Sequence, residues 1–250
     1  MAKNIKKRSA SHIYFGVNKL TGELKHISEV PSGQKCNCIC AACLQPFEAR
    51  KGTRRRHHFA HVSNYECMYA SEVAIYKAFA EALKQSGFLT LSPVMLRFPA
   101  WHDPELLQEA RRLKIDSVAF ECEPLSYPPL LRVTMQGTPL RILLDFDRYY
   151  DDDDRVELAE EAKAEDYSLL LISMPKIEQD TEFTPDRLQS ALQDNDRTEW
   201  VFSRLEEQWK QKYYAVAVSP PEHGTGNLCP ISFGKYKGKY SARWIDCAHC

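Results

Sequence analysis

The 250-residue sequence has no run of eighteen apolar residues, so no membrane-spanning helix is predicted. It has no internal repeat and no extended low-complexity segment, which excludes solenoids and arrays. Its first ten residues, MAKNIKKRSA, are basic, but the apolar stretch of a secretory signal does not follow. A cytoplasmic location is therefore expected, with cysteine thiols kept reduced. Apolar residues at 44% and charged residues at 27% are ordinary for a globular chain, so disorder is not expected as the dominant state.

Nine cysteines in a reducing compartment need another explanation than disulfides. Cys122 stands alone in a strand-like stretch and reads as a small buried hydrophobe. The other eight lie near the two ends of the chain, and metal ligation accounts for that clustering better.

The net charge of −1 conceals an asymmetry. Residues 1–66 carry 12 Lys and Arg against 4 Asp and Glu, residues 101–200 carry 11 against 24, and residues 201–250 carry 7 against 4. Basic ends suit phosphate, and an acidic middle repels it unless a cation intervenes. Docking of the basic ends onto the acidic middle explains the same numbers.

Periodicity divides the chain into three parts: a hairpin and metal module over 1–67, an α/β core over 68–215, and a linker with a cysteine module over 216–250. His12–Val17 and Glu23–Val30 read as strands around the turn-forming segment 18–22. Tyr69–Gln85 reads as a helix with Ile75, Phe79, Ala82 and Leu83 on one face, ended by Gly87. Strands are predicted at Val94–Phe98, Ser117–Glu121, Leu131–Met135 and Arg141–Phe146, the last two joined by a turn at 136–139. A helix over Val156–Ala164 follows the acidic run Asp151–Asp154, whose charge suits a helix N-terminus. Ser168–Ser173 reads as a strand buried on both faces. Thr184 and Pro185 start a helix through Leu192, and another helix is predicted over Thr198–Lys212 with Val201, Leu205 and Trp209 on one stripe. A single sheet covered by helices fits this order.

Cys36, Cys38, Cys40 and Cys43 fall within eight residues, followed by His57, His58, His61 and Cys67. The Cys40-x2-Cys43 turn lets two thiolates grip one ion, and His58 or His61 with Cys67 completes a closed, structural Cys3His site for zinc. Metal binding would then supply folding energy to a segment poor in core. Cys36 and Cys38 are alternative ligands, or partners of a second site formed by Cys229, Cys247 and Cys250. Two basic stretches could meet nucleic acid. Arg54, Arg55 and Arg56 form the densest patch, and Lys235, Lys237 and Lys239 alternate with tyrosines that could stack on bases. A solvated turn and a lysine-protected edge strand are the duller readings of the two.

The run from Cys36 through Cys40, Cys43, His57-His58-Phe59-Ala60-His61 and Cys67 to Ser71-Glu72 resembles the N-terminal part of the competence protein CoiA-like family. Cys229-Pro230 and Asp246-Cys247-x2-Cys250 are similar to a C-terminal cysteine module seen in relatives. The intervening strand order resembles the restriction-endonuclease-like fold with its PD-(D/E)XK motif, a mixed sheet flanked by helices. The resemblance implies a DNA partner, with RNA or a protein partner as further options, and no membrane. It also implies a Mg²⁺ or Mn²⁺ site if catalysis is present, because phosphodiester hydrolysis needs carboxylate-held metal and an activating lysine.

The resemblance places the family's helix glutamate on Glu72 and its strand carboxylate on Asp145. Its helix histidine and lysine fall on Tyr76 and Ala80. The Pro-Asp pair falls on Pro129-Leu130, and Asp147 stands where many nucleases have Lys or Gln. Leucine cannot ligate a metal. Glu72, Asp145 and Asp147 could still form a three-carboxylate site, with Asp116 replacing the lost aspartate. The competing expectation is a catalytically degenerate fold whose acids are surface or cap residues. Arg155 resembles a basic position that follows the strand in relatives, and its role is left open.

Overall fold

A computed structural model describes residues 12–63, 67–98, 103–122, 128–146, 150–177 and 182–216, with two dipeptide strands at 235–236 and 239–240. It is a mixed α/β structure with four α-helices among the described residues.

The chain begins with an antiparallel pair, β1 (Phe15–Asn18) and β2 (Leu24–His26). The Asn18 side chain accepts the amides of Leu20 and Thr21 and so closes the turn between them. The second strand was expected to run to Val30, but it stops at His26. There the imidazole accepts the Ser28 amide, the Glu29 carboxylate accepts the His26 amide, and Ile27–Glu29 closes into a 3₁₀ turn. This reciprocal cap satisfies amides that a longer strand would have left without a partner. Next, β3 (Cys38–Ile39) pairs with β1, and β4 (Phe47–Arg50) pairs with β5 (His58–His61).

The helix α1 (Ala70–Ser86) ends at Gly87, whose φ of 64° is the left-handed conformation that glycine adopts without strain. Two small ladders follow. β6 (Phe88–Leu91) pairs with β9 (Arg111–Lys114), and β7 (Val94–Leu96) pairs with β8 (Glu105–Gln108). The central sheet contains β10 (Ser117–Glu121), β11 (Leu130–Met135) and β12 (Thr138–Phe146) as an antiparallel meander. The helix α2 (Asp152–Ala164) then crosses over to β13 (Ser168–Met174), which lies parallel to β12. A parallel neighbour requires such a crossover. After α3 (Pro185–Ala191), β14 (Thr198–Phe202) adds antiparallel to β13 and α4 (Arg204–Val216) follows. The strand order is β10-β11-β12-β13-β14.

The helix predicted over Thr198–Lys212 is thus a strand and then a helix. Thr198, Trp200, Val201 and Phe202 are β-branched or aromatic, and pairing beside β13 decides their conformation over any helical stripe. Ser203 starts the helix by accepting the Glu206 amide on its hydroxyl.

Both faces of the sheet are covered. Leu140, Ile142, Leu144 and Phe146 of β12 join the large apolar cluster that contains Val73, Ile75 and Phe79 of α1. Leu143 points the other way, with Leu169, Leu171 and Ala162 of α2. The large cluster also takes in Ile13, Phe15, Phe47 and Phe59, so the N-terminal strands and the sheet share one core. No helix among the described residues is long and apolar enough to cross a membrane.

Candidate metal centre

The spacing in Cys40-Ala41-Ala42-Cys43 allows a tight knuckle. The Leu44 amide donates to the Cys40 carbonyl at 3.0 Å, and the Cys40 amide donates to the Gln45 carbonyl at 2.9 Å. Leu44 takes the left-handed conformation needed to reverse the chain, with φ at 61°. The Ala42 amide donates to the Cys40 sulfur at 3.4 Å.

β4 and β5 supply the histidine. In a strand, residues three apart point to opposite faces, so His58 and His61 cannot serve one ion together. The register pairs Phe47 with His61 and Arg50 with His58. His61 packs edge-on against Phe47 at 4.8 Å between ring centres, and its Nε2 lies 3.2 Å from the Cys43 sulfur. His58 is held elsewhere. Its Nδ1 donates to the Arg56 carbonyl at 2.9 Å and its ring packs edge-on against His12 at 4.6 Å. Cys67 arrives from the approach to α1, three residues before the helix starts.

The ligand atoms of Cys40, Cys43, His61 and Cys67 all lie within 4.8 Å of one another. A tetrahedral zinc with Zn–S bonds of about 2.3 Å holds its ligand atoms roughly 3.8 Å apart. The four residues therefore fit a metal ion of this kind, in a closed set with no open position. A hydrogen bond with Cys40, ahead of the opposing effect of burial, holds the Cys67 thiol down to about 6, and the same contact pushes Cys40 upward. Burial raises Cys43 and lowers His61, which keeps the imidazole neutral and available as a ligand. The amides of Gln45 and Tyr69 also favour the thiolates of Cys43 and Cys67.

Cys36 and Cys38 do not join this group. Both are 2% exposed, and their thiols donate to the carbonyls of Phe47 and Cys36, at 3.4 and 3.2 Å. Burial pushes the Cys38 thiol up to about 12. They are core residues beneath β4. Cys122 packs against the main apolar cluster. Cys229, Cys247 and Cys250 lie outside the described residues.

Among the described residues, this tetrad is the one place where three or more Cys, His, Asp or Glu side chains converge to ligand distance. Glu72 is buried in the first turn of α1, and its charge acts on Cys67 and Tyr69. Asp145 is also buried. By strand alternation it falls on the side of Leu143, facing α2, where its charge acts on Arg155. Asp116 caps the β11–β12 turn, its carboxylate accepting the Gly137 amide at 3.0 Å. It sits level with Thr138, about 24 Å from Asp145 along β12 at strand rise, and cannot replace an aspartate there. Asp147 lies outside the described residues.

Arg54, Arg55 and Arg56 are exposed in the connection between β4 and β5. Arg56 reaches Glu182 at 3.9 Å, while no carboxylate among the described residues pairs with Arg54 or Arg55. Lys235 and Lys239 pair with Tyr240 and Tyr236 in a two-stranded ladder, and Lys237 lies outside the described residues.

Two features escaped sequence reasoning. The pairing of β4 with β5 selects the histidine, and Tyr76 binds the backbone of β12. The alternation of Phe47 and Ala49, matched by Phe59 and His61, was the available signal for the first. Compared with family models, curated proteins and solved structures, the chain matches none.

Proposed function

We propose that this is a CoiA-like, zinc-stapled protein of restriction-endonuclease-like fold that binds DNA and has weakened or lost catalysis. The carrying observation is the order of elements. A Cys3His tetrad precedes α1, two small ladders come next, the central sheet then opens with three antiparallel strands, and α2 crosses to a parallel fourth strand. That is the order expected of a PD-(D/E)XK core behind a metal module.

The tetrad would hold zinc through Cys40, Cys43, His61 and Cys67 and tie the two N-terminal hairpins to the start of α1. Arg54 and Arg55, which no carboxylate among the described residues pairs, present positive charge with Arg56 on one exposed connection, as a phosphate backbone requires. The degenerate state is supported by Leu130 in place of an aspartate and by the placement of Glu72, Asp145 and Asp116 at three separate positions.

The test is anisotropy of a labelled DNA duplex titrated with the full chain at several salt concentrations, with an RNA duplex as competitor. Binding should weaken as salt rises, and replacing Arg54, Arg55 and Arg56 with alanine should reduce the slope by up to about 0.9 per lost phosphate contact. Absent or salt-independent binding rejects the reading. Mn²⁺-dependent cleavage that disappears in Asp145→Ala would replace it with an active endonuclease.

A further inference from the structure

A PD-(D/E)XK fold implies a divalent cation beside the carboxylate that Asp145 represents, and the described residues around Asp145 do not fit one. Leu130 begins β11, and the β11–β12 register places it on the same face as Leu143 and Asp145, where it offers no oxygen. Ser173 is the in-register neighbour on β13. Glu199 pairs with Leu171 on β14, so it shares that face too. Two carboxylates thus look toward α2 from strands that flank β13.

Arg155, in the first turn of α2, lies over this face. Its Nη1 is 2.6 Å from the Glu199 carboxylate, and its Nε donates to the Tyr150 carbonyl at 3.3 Å. A planar guanidinium fixed at two of its nitrogens has little freedom to leave. Asp145 and Asp152 also act on Arg155 and, after Glu199, help hold its proton.

We infer that Arg155 is the resident cation of this site: its guanidinium neutralises Asp145 and Glu199 where a nuclease would place Mg²⁺ or Mn²⁺. This rests on the nuclease-fold reading, and it goes further by giving the lost catalysis a specific cause. It also assigns Arg155 a role other than phosphate contact, because its charge is already matched within the protein. A divalent cation brought to the same carboxylates would face a fixed positive charge on one side and the apolar Leu130 on another. Either feature alone opposes binding.

The experiment is titration of the zinc-loaded full chain with Mn²⁺, followed by the loss of the free Mn²⁺ resonance. The native chain should show no saturable binding. Arg155→Met, which keeps the length of the stem and removes the charge, should gain one saturable site, and adding Asp145→Asn should abolish it. Arg155→Lys should behave as the native chain does. A folded Arg155→Met chain that gains no site overturns the inference. So does saturable Mn²⁺ binding by the native chain that Asp145→Asn removes, an outcome that does not depend on whether the methionine variant folds. DNA anisotropy reads the parent proposal separately, so failure of one is distinguishable from failure of the other.

Discussion

The Tyr76 hydroxyl accepts the Leu144 amide at 2.7 Å and faces the carbonyl of the same residue at 3.4 Å. The ladder between β11 and β12 ends at Ile142, so Leu144 lies beyond it and takes its partner from α1. Tyr76 is fully buried and packs edge-on against Phe146 at 6.2 Å. The position that the family resemblance assigns to a histidine therefore seals a strand backbone.

Tyr76→Phe should lower stability by about 1–3 kcal/mol, since it leaves a buried amide without a partner while preserving the ring. Urea unfolding would show a lower midpoint with an unchanged slope. An unchanged midpoint would mean that the hydroxyl contributes nothing.

The tetrad predicts at least one zinc per chain by elemental analysis. His61→Ala should lose it and lower stability by several kcal/mol, while His58→Ala should retain it. Cys36→Ala should also retain the metal and cost about 1–2 kcal/mol through lost packing. Loss of zinc in the His58 variant but not in the His61 variant would reverse the assignment.

Gly16 of β1 packs against the sulfur-rich side of the N-terminal core. A methyl group there would meet the Cys38 Cβ at 3.1 Å and the Phe47 and Phe59 rings at 3.2 and 3.4 Å. Gly16→Ala should destabilise by about 1–3 kcal/mol through overpacking. Because Phe47 also touches His61, the zinc off-rate should rise as well. Chelator-driven release gives the measurement.

His26 is 7% exposed, and burial lowers its pKa, outweighing the opposing pull of Glu29 and Glu182. The unfolded chain therefore takes up the proton first. The stability contribution is whole above the ordinary histidine value near 6.5, declines as pH falls through it, and levels off below the folded value. His26→Asn keeps an acceptor for the Ser28 amide and should show a flatter dependence between pH 7.5 and 5 than the native chain. Acid release of zinc is common to both chains and cancels in the difference.

The central sheet was largely legible. Ser117–Glu121, Leu131–Met135, Arg141–Phe146 and Ser168–Ser173 each carry a strand pattern that survives in the fold. So was the core of the metal site, because Cys40-x2-Cys43 and Cys67 have few other uses in a reduced chain. What failed was whatever depends on long-range pairing. Thr198–Phe202 reads as the start of a helix whose stripe is Val201, Leu205 and Trp209, and it becomes a strand because β13 offers a free edge. Phe47–Arg50 and His58–His61 are too short to announce themselves, and only their mutual register decides between two histidines. Cys36 and Cys38 were candidates by proximity in sequence, and burial beneath Phe47 removes them.

The apolar cluster shared by Phe15, Phe47 and Phe59 with Val73, Ile75 and Phe79 bears on how this molecule could be dissected. A fragment starting at Ala70 would carry one side of that cluster bare, and the complementary fragment would carry the other. Expressed singly, each half should collect in insoluble material. Produced in the same cell, the two should find one another and dissolve together, because the surface that each lacks is the surface the other presents.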